Sequence, residues 1–452
     1  MSGMDGGKPR SDKALWGRRA LLAAPLALAG CDTIEGWFSS KKEPLPGTRE
    51  PLRDARRGFT PDEAAPRVTI PAPVRNTAWA QAGGNAAHLM GHLNAGATLT
   101  QAWSADLGEG GGYRRKILAQ PVVANGVVFA MDSDSVVSAY NIGTGARLWR
   151  TVTVDRDLDS SNVGGGLCWD AGTVYAVNGM SELLALDAAK GAVKWRHSLG
   201  VNARSAPTVA EGRIFLTTID SRLLALSVEN GRQLWSYQST ASPTTVLGGP
   251  APACAQGMVV AGFGSGEIAA LRAETGVVVW NDGLGIVRGR SSLVDFLAII
   301  GAPVISNNQV FATGMGGITL AVDLPTGRRI WERRAASTST PWIAGNWMFL
   351  VSLDQELGAI NTEDSRIAWV SALPRWENPE KKRRLITWYG PVLAGNRLIV
   401  LGSNSEALSI SPLTGEILGK QSLSDAPAPF APVVVDGTLL TVTDDARLTA
   451  WR

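Results

Sequence analysis

The chain has 452 residues, of which 45% are apolar and 18% charged, and its formal net charge is +3. This length supports a large core, and the nearly balanced charge excludes the strongly basic surface that nucleic-acid binding needs. Three cysteines at scattered positions exclude a disulfide framework.

The first thirty residues have the parts of an export signal. Lys13, Arg18 and Arg19 supply positive charge, and the apolar run Ala20–Ala29 is too short to span a bilayer. The run ends in Leu28-Ala29-Gly30-Cys31, the arrangement of a bacterial lipobox. We therefore expect a signal peptide at residues 1–30 and lipidation of Cys31. The alternative is an ordinary signal in which the cysteine occurs by chance.

Residues 31–94 are polar and contain prolines and mixed charges, which predicts a lipidated, mostly disordered tether. Its role would be to hold a folded body away from a membrane. His88 and His92 are four residues apart, a spacing that can place two imidazoles on one helix face. Residue 89 is leucine and no third ligand is evident, so packing at the surface is favoured over a metal site.

Residues 121–149 read as one four-stranded unit. A short apolar strand ends at Asn125-Gly126, a hairpin signal, and is followed by strands at Val127–Met131 and Val136–Tyr140. Thr144-Gly145 then turns the chain into a fourth strand that carries Trp149. Such a sheet is apolar on both faces, so it needs copies of itself on either side.

The copies are present in the rest of the chain. The closing turn recurs at residues 190–195, 230–235, 275–280, 326–331, 364–369 and 414–419, at a period of roughly 40–50 residues. Trp103 lies in a strand-like stretch, Ala97–Asp106, without earlier strands, and the last three strands of the chain lack a fourth. The sequence therefore predicts an all-β fold over residues 95–452, an eight-bladed β-propeller of four-stranded antiparallel blades closed by a composite N- and C-terminal blade.

The tryptophan of each closing turn is predicted to dock between neighbouring blades and to donate its indole N–H to a backbone carbonyl. The alternative, stacking on a cofactor, would need these rings at the central axis, whereas the fourth strand of a blade is outermost. Gly419 replaces the tryptophan in the seventh copy, which predicts a weaker interface there. The tryptophans concerned are Trp103, Trp149, Trp195, Trp235, Trp280, Trp331 and Trp369.

Three joins between blades are longer than a turn requires: residues 239–249, 281–301 and 371–389. All three emerge on one face of the propeller. The third carries the basic run Lys381–Arg384, a pattern typical of a solvated face. Apolar residues flanked by arginine in the second join favour a partner surface, although they could instead cap the core. Those residues are Arg288, Arg290, Leu293, Asp295, Phe296 and Leu297.

No pattern of catalytic chemistry is evident. The three histidines lack a neighbouring nucleophile and carboxylate, and the glycines lie in hairpins rather than in a phosphate loop. Asp155, Asp157 and Asp159 alternate as in a calcium loop, but its glycine and closing glutamate are missing. Cys168 and Cys254 are expected as buried residues on first strands. We therefore predict no catalytic, cofactor-binding or metal-binding residues and no cofactor.

The repeated closing turns in an eight-bladed array, together with the lipobox, resemble the quinoprotein-type propellers and, among them, the BamB family. This resemblance implies a non-enzymatic lipoprotein of the outer-membrane β-barrel assembly complex. It would dock on the periplasmic domains of BamA and assist barrel-protein clients. The resemblance implies BamA contacts in the first two long joins, at positions that include Thr244, Val246 and Leu247.

Two questions stay open at this stage. The resemblance implies a periplasmic, lipid-anchored protein of the outer membrane, but Asp32 after Cys31 would fit retention in the inner membrane. The functional alternatives are a pyrroloquinoline-quinone-dependent dehydrogenase and a module that binds sugar or peptidoglycan. A charge inserted at Phe296 or Leu297 is predicted to weaken the capture of BamA without unfolding the ring.

Overall fold

The computed structural model describes residues 60–113, 115–154, 163–242, 248–284, 297–423 and 426–452. Over these residues the fold is all-β, with eight four-stranded antiparallel sheets, which confirms the predicted propeller. In each blade the first three strands are mostly buried, whereas the fourth has the most exposed residues, as expected at an outer edge.

The strand β1, Gln101–Asp106, precedes seven blades that are each continuous in sequence. Blade 1 comprises β2 Val122–Ala124, β3 Val127–Met131, β4 Val136–Asn141 and β5 Arg147–Val152; blade 2 β6 Gly166–Asp170, β7 Thr173–Val177, β8 Glu182–Asp187 and β9 Val193–Ser198; blade 3 β10 Thr208–Ala210, β11 Arg213–Thr217, β12 Arg222–Ser227 and β13 Gln233–Gln238; and blade 4 β14 Ala253–Ala255, β15 Met258–Gly262, β16 Glu267–Arg272 and β17 Val278–Gly283.

The remaining blades follow the same order, with an extra hairpin, β26–β27, between blades 6 and 7. Blade 5 comprises β18 Val304–Ser306, β19 Gln309–Thr313, β20 Ile318–Asp323 and β21 Arg329–Arg334; blade 6 β22 Trp342–Ala344, β23 Trp347–Val351, β24 Glu356–Asn361 and β25 Ile367–Ala372; the hairpin β26 Trp376–Asn378 and β27 Arg383–Leu385; blade 7 β28 Trp388–Ala394, β29 Arg397–Gly402, β30 Glu406–Ile410 and β31 Ile417–Ser422; and blade 8 β32 Val433–Val435, β33 Thr438–Val442 and β34 Arg447–Trp451.

Blade 8 is the composite blade that closes the ring. Its sheet order is β1-β34-β33-β32, so the strand from the start of the propeller pairs with the last strand of the chain. Thr100 and Arg452 extend this pairing with two further backbone hydrogen bonds, of 2.7 and 2.8 Å. The ends of the ring are therefore joined by a β-ladder rather than by a covalent link.

A small residue in the third strand allows two aromatic rings to approach each other within a blade. In blade 1, Ala139 pairs with Phe129 on one side and with Trp149 on the other. Because alanine occupies little space, the two flanking rings approach to 5.8 Å across it. The same aromatic pairing occurs in blades 2, 3, 5 and 6, at Tyr175–Trp195, Phe215–Trp235, Phe311–Trp331 and Phe349–Trp369.

Each closing-turn tryptophan donates its indole N–H to a backbone carbonyl of the next blade. The acceptor lies in the next blade's own turn between the third and fourth strands, so each outer strand is fastened to its neighbour. The donor–acceptor distances range from 2.7 to 3.2 Å, and the pairs are Trp103–Ile142, Trp149–Ala188, Trp195–Val228, Trp235–Ala273, Trp280–Leu324, Trp331–Thr362 and Trp369–Pro412.

The N-terminal part of the described chain lies on the propeller, which differs from the predicted tether that reaches residue 94. We call residues 74–95 the strap. The strap bonds to all eight blades in ring order, mainly at their first strands, which neighbour one another around the axis. The bonded pairs, from blade 8 and then from blade 1 to blade 7, are Asn76–Val434, Trp79–Val123, Ala80–Trp169, Gln81–Val209, Ala86–Cys254, Ala87–Ile305, Gly91–Trp342 and Leu93–Leu393.

Before the strap, the chain crosses from the rim to the axis beside blade 6. Asp62 forms an ion pair with Arg333 in β21 and hydrogen bonds with the backbone of Ile367, the first residue of β25. Pro71 accepts a 2.7 Å hydrogen bond from the ring of His92. Within the described residues, contact with the propeller therefore starts by residue 62. Residues 31–59 of the predicted tether, and the predicted signal peptide, lie outside the described residues.

Candidate partner-binding surface

The alternation of strand direction sorts the loops of the propeller onto two faces. In each continuous blade, the first hairpin and the closing turn lie on one face, which we call the turn face. The second hairpin and the join to the next blade lie on the opposite face, the join face. The strap bonds near the first hairpins, at Val123, Leu393 and Asp436, and so lies toward the turn face. Among the described residues, the strap leaves the join face uncovered.

The described ends of the first two long joins meet at one cavity on the join face. The cavity has a volume of about 50 Å³. Gly248, Gly249 and Pro250 line it from the first join, and Ala298 and Ile299 line it from the second. Two segments that are separate in sequence therefore form one continuous surface over blades 3 and 4.

Backbone hydrogen bonds fasten these join ends to the blades. Gly249 N–H donates to the Arg204 carbonyl at 3.0 Å, and Ile299 N–H donates to the Phe263 carbonyl at 3.1 Å. Met315 N–H donates to the Ala298 carbonyl at 3.0 Å. The positions where both joins leave the core are therefore fixed.

Hydroxyl groups supply part of the cavity wall. The Ser205 hydroxyl donates to the Thr217 carbonyl at 3.1 Å and accepts from the Thr217 N–H at 2.9 Å. Arg204 is half-buried, and its Nε is buried without a hydrogen-bond partner. On the other side, Phe263 and Ile299 are buried and apolar. The cavity thus offers a cationic group beside an apolar wall.

Glu267 holds the start of the first join. Its carboxylate accepts hydrogen bonds from the Tyr237 hydroxyl at 2.5 Å and from the N–H and hydroxyl of Thr240, at 3.1 and 3.0 Å. Burial opposes ionisation, but these hydrogen bonds outweigh it and lower the pKa of Glu267. Burial and the neighbouring carboxylate raise the pKa of Tyr237 to about 12. Glu267 is therefore an ionised anchor for this join.

The structure places one of the predicted contact residues. Leu297 is half-buried, and it packs so closely on Gly266 that a Cβ added there would lie 2.8 Å from the Leu297 Cβ. The other predicted contact residues and the predicted lipidation site lie outside the described residues. They are Cys31, Thr244, Val246, Leu247, Arg288, Arg290, Leu293, Asp295 and Phe296.

Sequence reasoning missed Arg204, Thr217 and Ser205 as parts of this surface. They lie in the join between blades 2 and 3 and at the end of β11, which carry no unusual motif. Their proximity to the long joins depends on the stacking of blades 3 and 4. One available signal was the position of Arg204 in a join, four residues before the first strand of blade 3.

The titratable groups near the axis are buried and hold structural hydrogen bonds. His88 donates from Nδ1 to the Pro303 carbonyl at 2.7 Å, and burial lowers its pKa to about 4. His92 Nε2 accepts from the Asn396 N–H at 3.1 Å. Both rings are therefore buried rather than placed at the surface. Burial also raises the pKa of Cys254 to about 12 and raises the pKa of Cys168 well above its usual range, so both remain thiols.

Within the described ranges, no three histidine, cysteine or acidic residues are grouped as a metal site. The three aspartates considered for calcium, at 155, 157 and 159, lie outside these ranges. The described chain also contains no helix of sufficient length and apolarity to cross a membrane.

Comparison with known sequences connects this propeller with one family. A family model described as outer membrane protein assembly factor BamB matches residues 95–164 and 133–371. The BamB protein of Escherichia coli strain K12 is 27% identical over 355 residues, which cover 78% of this chain and 88% of that protein. The BamB protein of Shewanella oneidensis is 28% identical over 344 residues, covering 74% and 84%.

Comparison with solved structures supports the same fold. BamB from Moraxella catarrhalis superposes with a TM-score of 0.66 at 22% identity, covering 78% of this chain and 100% of that one. The quinohemoprotein alcohol dehydrogenase of Comamonas testosteroni superposes with a TM-score of 0.63 at 15% identity, covering 84% and 81%. At these identities the structural likeness shows the propeller fold alone.

Proposed function

The chain belongs to the BamB family of outer membrane protein assembly factors, and from this membership we propose that it is a scaffold lipoprotein of the outer-membrane β-barrel assembly complex. The observation that carries this proposal is the family match, which extends over more than half of the chain and most of the propeller. The protein would associate with the outer membrane, bind the BamA-like subunit and assist the folding and insertion of barrel-protein clients.

The join face of blades 3 and 4 is the surface we propose for the BamA-like subunit. Its support is the convergence of the two long joins at one cavity that combines Arg204 with apolar Phe263 and Ile299. A cationic group beside apolar side chains favours a protein partner with a carboxylate and an aliphatic anchor. The joins themselves would supply Thr244, Val246 and Leu247 from one side and residues 288–297 from the other.

The proposed location is the periplasmic face of the outer membrane, with the protein anchored through lipidated Cys31. Support comes from the charged start, short apolar run and lipobox of the first 31 residues. Asp32 leaves retention in the inner membrane as the alternative address. Fractionation of cells that express the wild type and an Asp32→Ser variant distinguishes the two locations. If the same fraction of both proteins is found in the outer membrane, location in the outer membrane is supported.

We propose that the protein acts without enzymatic chemistry. The strap supports this, because the chain itself fills hydrogen-bonding positions around the first strands that face the axis. A quinone-dependent dehydrogenase is the alternative, since such enzymes share the propeller fold. Purified protein supplied with pyrroloquinoline quinone and calcium should then show no bound quinone spectrum and no dye reduction with alcohols or sugars. Either signal would overturn the scaffold proposal.

Affinity capture from detergent-solubilised envelopes tests the partner. Tagged wild-type protein should recover a BamA-like subunit, and a Phe296→Glu variant should recover several times less of it. Leu418→Glu is the matched control, because Leu418 is 58% exposed in the outer strand of blade 7, away from the join surface. Equal recovery with both variants would remove the second join from the proposed surface, and failure of the wild type to recover the subunit would overturn the function.

A further inference from the structure

The extra hairpin β26–β27 is the most strongly basic exposed stretch described on the propeller. Residues 375–385 carry five basic and two acidic side chains, so this stretch alone has the net charge of +3 that the entire chain has. From residue 377 to residue 385 every residue is exposed. Solvation of a charge run explains its exposure but not the apolar side chains beside it.

The hairpin places apolar and cationic side chains on the same face. Trp376 pairs with Leu385 across the two strands, and Asn378 pairs with Arg383. Residues two apart along a strand share a face, so Trp376, Leu385 and Arg383 lie together. Leu385 is 58% exposed. A half-buried aromatic ring beside an exposed aliphatic side chain and an exposed cation fits the boundary between lipid headgroups and acyl chains.

The positive charges at the tip are not neutralised within the hairpin. Among the described residues, the carboxylate contact of this hairpin is the 3.2 Å ion pair between Arg384 and Glu377. Lys381, Lys382 and Arg383 have no described ion pair, and all three are exposed. Three free cations at the end of a projecting loop can therefore approach a negatively charged surface together.

The first described residues and the hairpin both adjoin the outer strand of blade 6. Asp62 bonds to Ile367 at the start of β25, and the Arg366 side chain donates to the Ala64 carbonyl at 3.2 Å. The hairpin begins four residues after β25 ends. A six-residue strand is about 20 Å long, so the two features adjoin opposite ends of the outer strand of blade 6. The first described residues and the basic hairpin are therefore on the same blade, one toward each face.

We propose that the outer edge of blade 6 faces the membrane and that the β26–β27 hairpin binds the headgroups of anionic phospholipids. The orientation rests on the proposed lipid anchor, whereas the headgroup binding rests on the hairpin alone. In this arrangement the disc stands with one edge on the membrane. The join surface over blades 3 and 4 lies about three blades away around the ring and stays free for a protein partner.

Vesicle flotation of the mature chain with Cys31→Ser, which carries no acyl group, tests the headgroup binding. The protein should float with vesicles that contain phosphatidylglycerol and much less with pure phosphatidylcholine, and added salt should weaken binding. The triple variant Lys381→Ser, Lys382→Ser, Arg383→Ser should bind on the order of a hundredfold more weakly, since each basic group contributes roughly fivefold at an anionic surface.

The matched control removes the same charge elsewhere on the propeller. Lys190→Ser, Arg232→Ser, Arg272→Ser changes three exposed cations on blades 2, 3 and 4 and should retain binding. Equal losses in the two triple variants, or no flotation of the parent protein, would overturn the proposal. The proposal would also be overturned if the hairpin captured an acidic protein from envelopes but the protein did not bind vesicles. Capture of the BamA-like subunit reports separately on the proposed function.

Discussion

The indole N–H of Trp280 donates a 2.7 Å hydrogen bond to the carbonyl oxygen of Leu324, the residue that follows the third strand of the next blade. Trp280 is 8% exposed, so the bond lies in a largely dehydrated interface. Seven of the eight blade junctions have this bond. The closing turn thus serves two blades: its tryptophan reaches forward, and its backbone receives the tryptophan from the preceding blade.

Replacement of Trp280 by phenylalanine should destabilise the propeller by about 1–2 kcal/mol, because the buried Leu324 carbonyl loses its donor while most apolar contact remains. Trp280→Ala should cost about 3–5 kcal/mol, since it also leaves a cavity. Urea denaturation of both variants measures these losses. Tyr113→Phe, at a ring that is 99% exposed, is the control and should be near neutral. Equal stability of Trp280→Phe and wild type would show that the indole hydrogen bond does not contribute to the stability of the propeller.

The glycine of the closing turn makes room for the incoming ring. A Cβ at Gly415 would lie 2.4 Å from the Trp369 ring, and the φ of Gly415 is +76°. Gly212 has a similar φ of +72°, but nothing lies within 4 Å of an added Cβ. Gly415→Ala should therefore cost about 1–3 kcal/mol more than Gly212→Ala, because both variants share the backbone strain and the first also overpacks the interface.

Thermal or urea denaturation of this pair of alanine variants isolates the ring contact. Blade 6 carries Ser365 at the corresponding position, with a φ of +63°, so its neighbour Trp331 accommodates a side chain there. Indistinguishable stabilities for Gly415→Ala and Gly212→Ala would mean that the Trp369 ring shifts at no cost.

His88 should make the stability of the propeller depend on pH. Burial lowers its pKa from 6.5 to about 4, so the unfolded chain binds the proton more tightly than the folded one. The stability contributed by the neutral ring is complete above about pH 6.5 and is lost as the pH falls toward 4. The shift corresponds to about 3 kcal/mol.

Urea midpoints measured from pH 7 to pH 4 test this dependence. His88→Asn is the suitable variant, because asparagine tolerates the φ of +57° at this position and can still donate toward Pro303. The variant should lose about 3 kcal/mol less than wild type over this range. Parallel pH profiles would assign the acid sensitivity to other groups.

The side chain of Gln81 forms hydrogen bonds with both backbone groups of Val209, as a neighbouring strand would. Its side-chain amide donates to the Val209 carbonyl at 2.8 Å and accepts from the Val209 N–H at 2.9 Å. Gln81→Ala removes both partners from buried groups and should cost about 2 kcal/mol or more. The Val209 amide should also exchange hydrogen faster, whereas Asn346→Ala, at an exposed amide, should leave both quantities unchanged. Unchanged exchange at Val209 would contradict this role.

The propeller could be predicted from sequence because its repeats carry their own turn signals and interface rings. The strap could not, because its hydrogen bonds use mainly main-chain groups and the amides of Asn76 and Gln81, and its buried apolar residues, such as Trp79 and Leu93, follow no regular period. The sequence predicted that the long joins emerge on one face, and the described join ends do lie on one face, whereas the partner-contact residues remain a prediction. Arg204 comes to the cavity through blade stacking, which no local pattern encodes.

The absent tryptophan at Gly419 has a structural reason that sequence alone did not reveal. Gly419 pairs with Ser409, the same register in which other blades place their tryptophan. The next blade is the composite one, whose third strand ends at Trp451 and whose fourth strand is β1 from the start of the propeller. No closing turn connects them, so the site that would receive an indole is missing. The Gln421 side chain donates instead to the Leu99 carbonyl, at 2.6 Å.

Gly419→Trp should therefore not strengthen the junction between blades 7 and 8. Gly419 is exposed and nothing lies within 4 Å of an added Cβ, so we expect the free energy of unfolding to change by less than about 0.5 kcal/mol. Gln421→Ala should cost about 1 kcal/mol, because it removes the hydrogen bond that does cross this junction. Urea denaturation checks both variants. A Gly419→Trp protein more stable than wild type by over 1 kcal/mol would show that an indole finds a docking site without the closing turn.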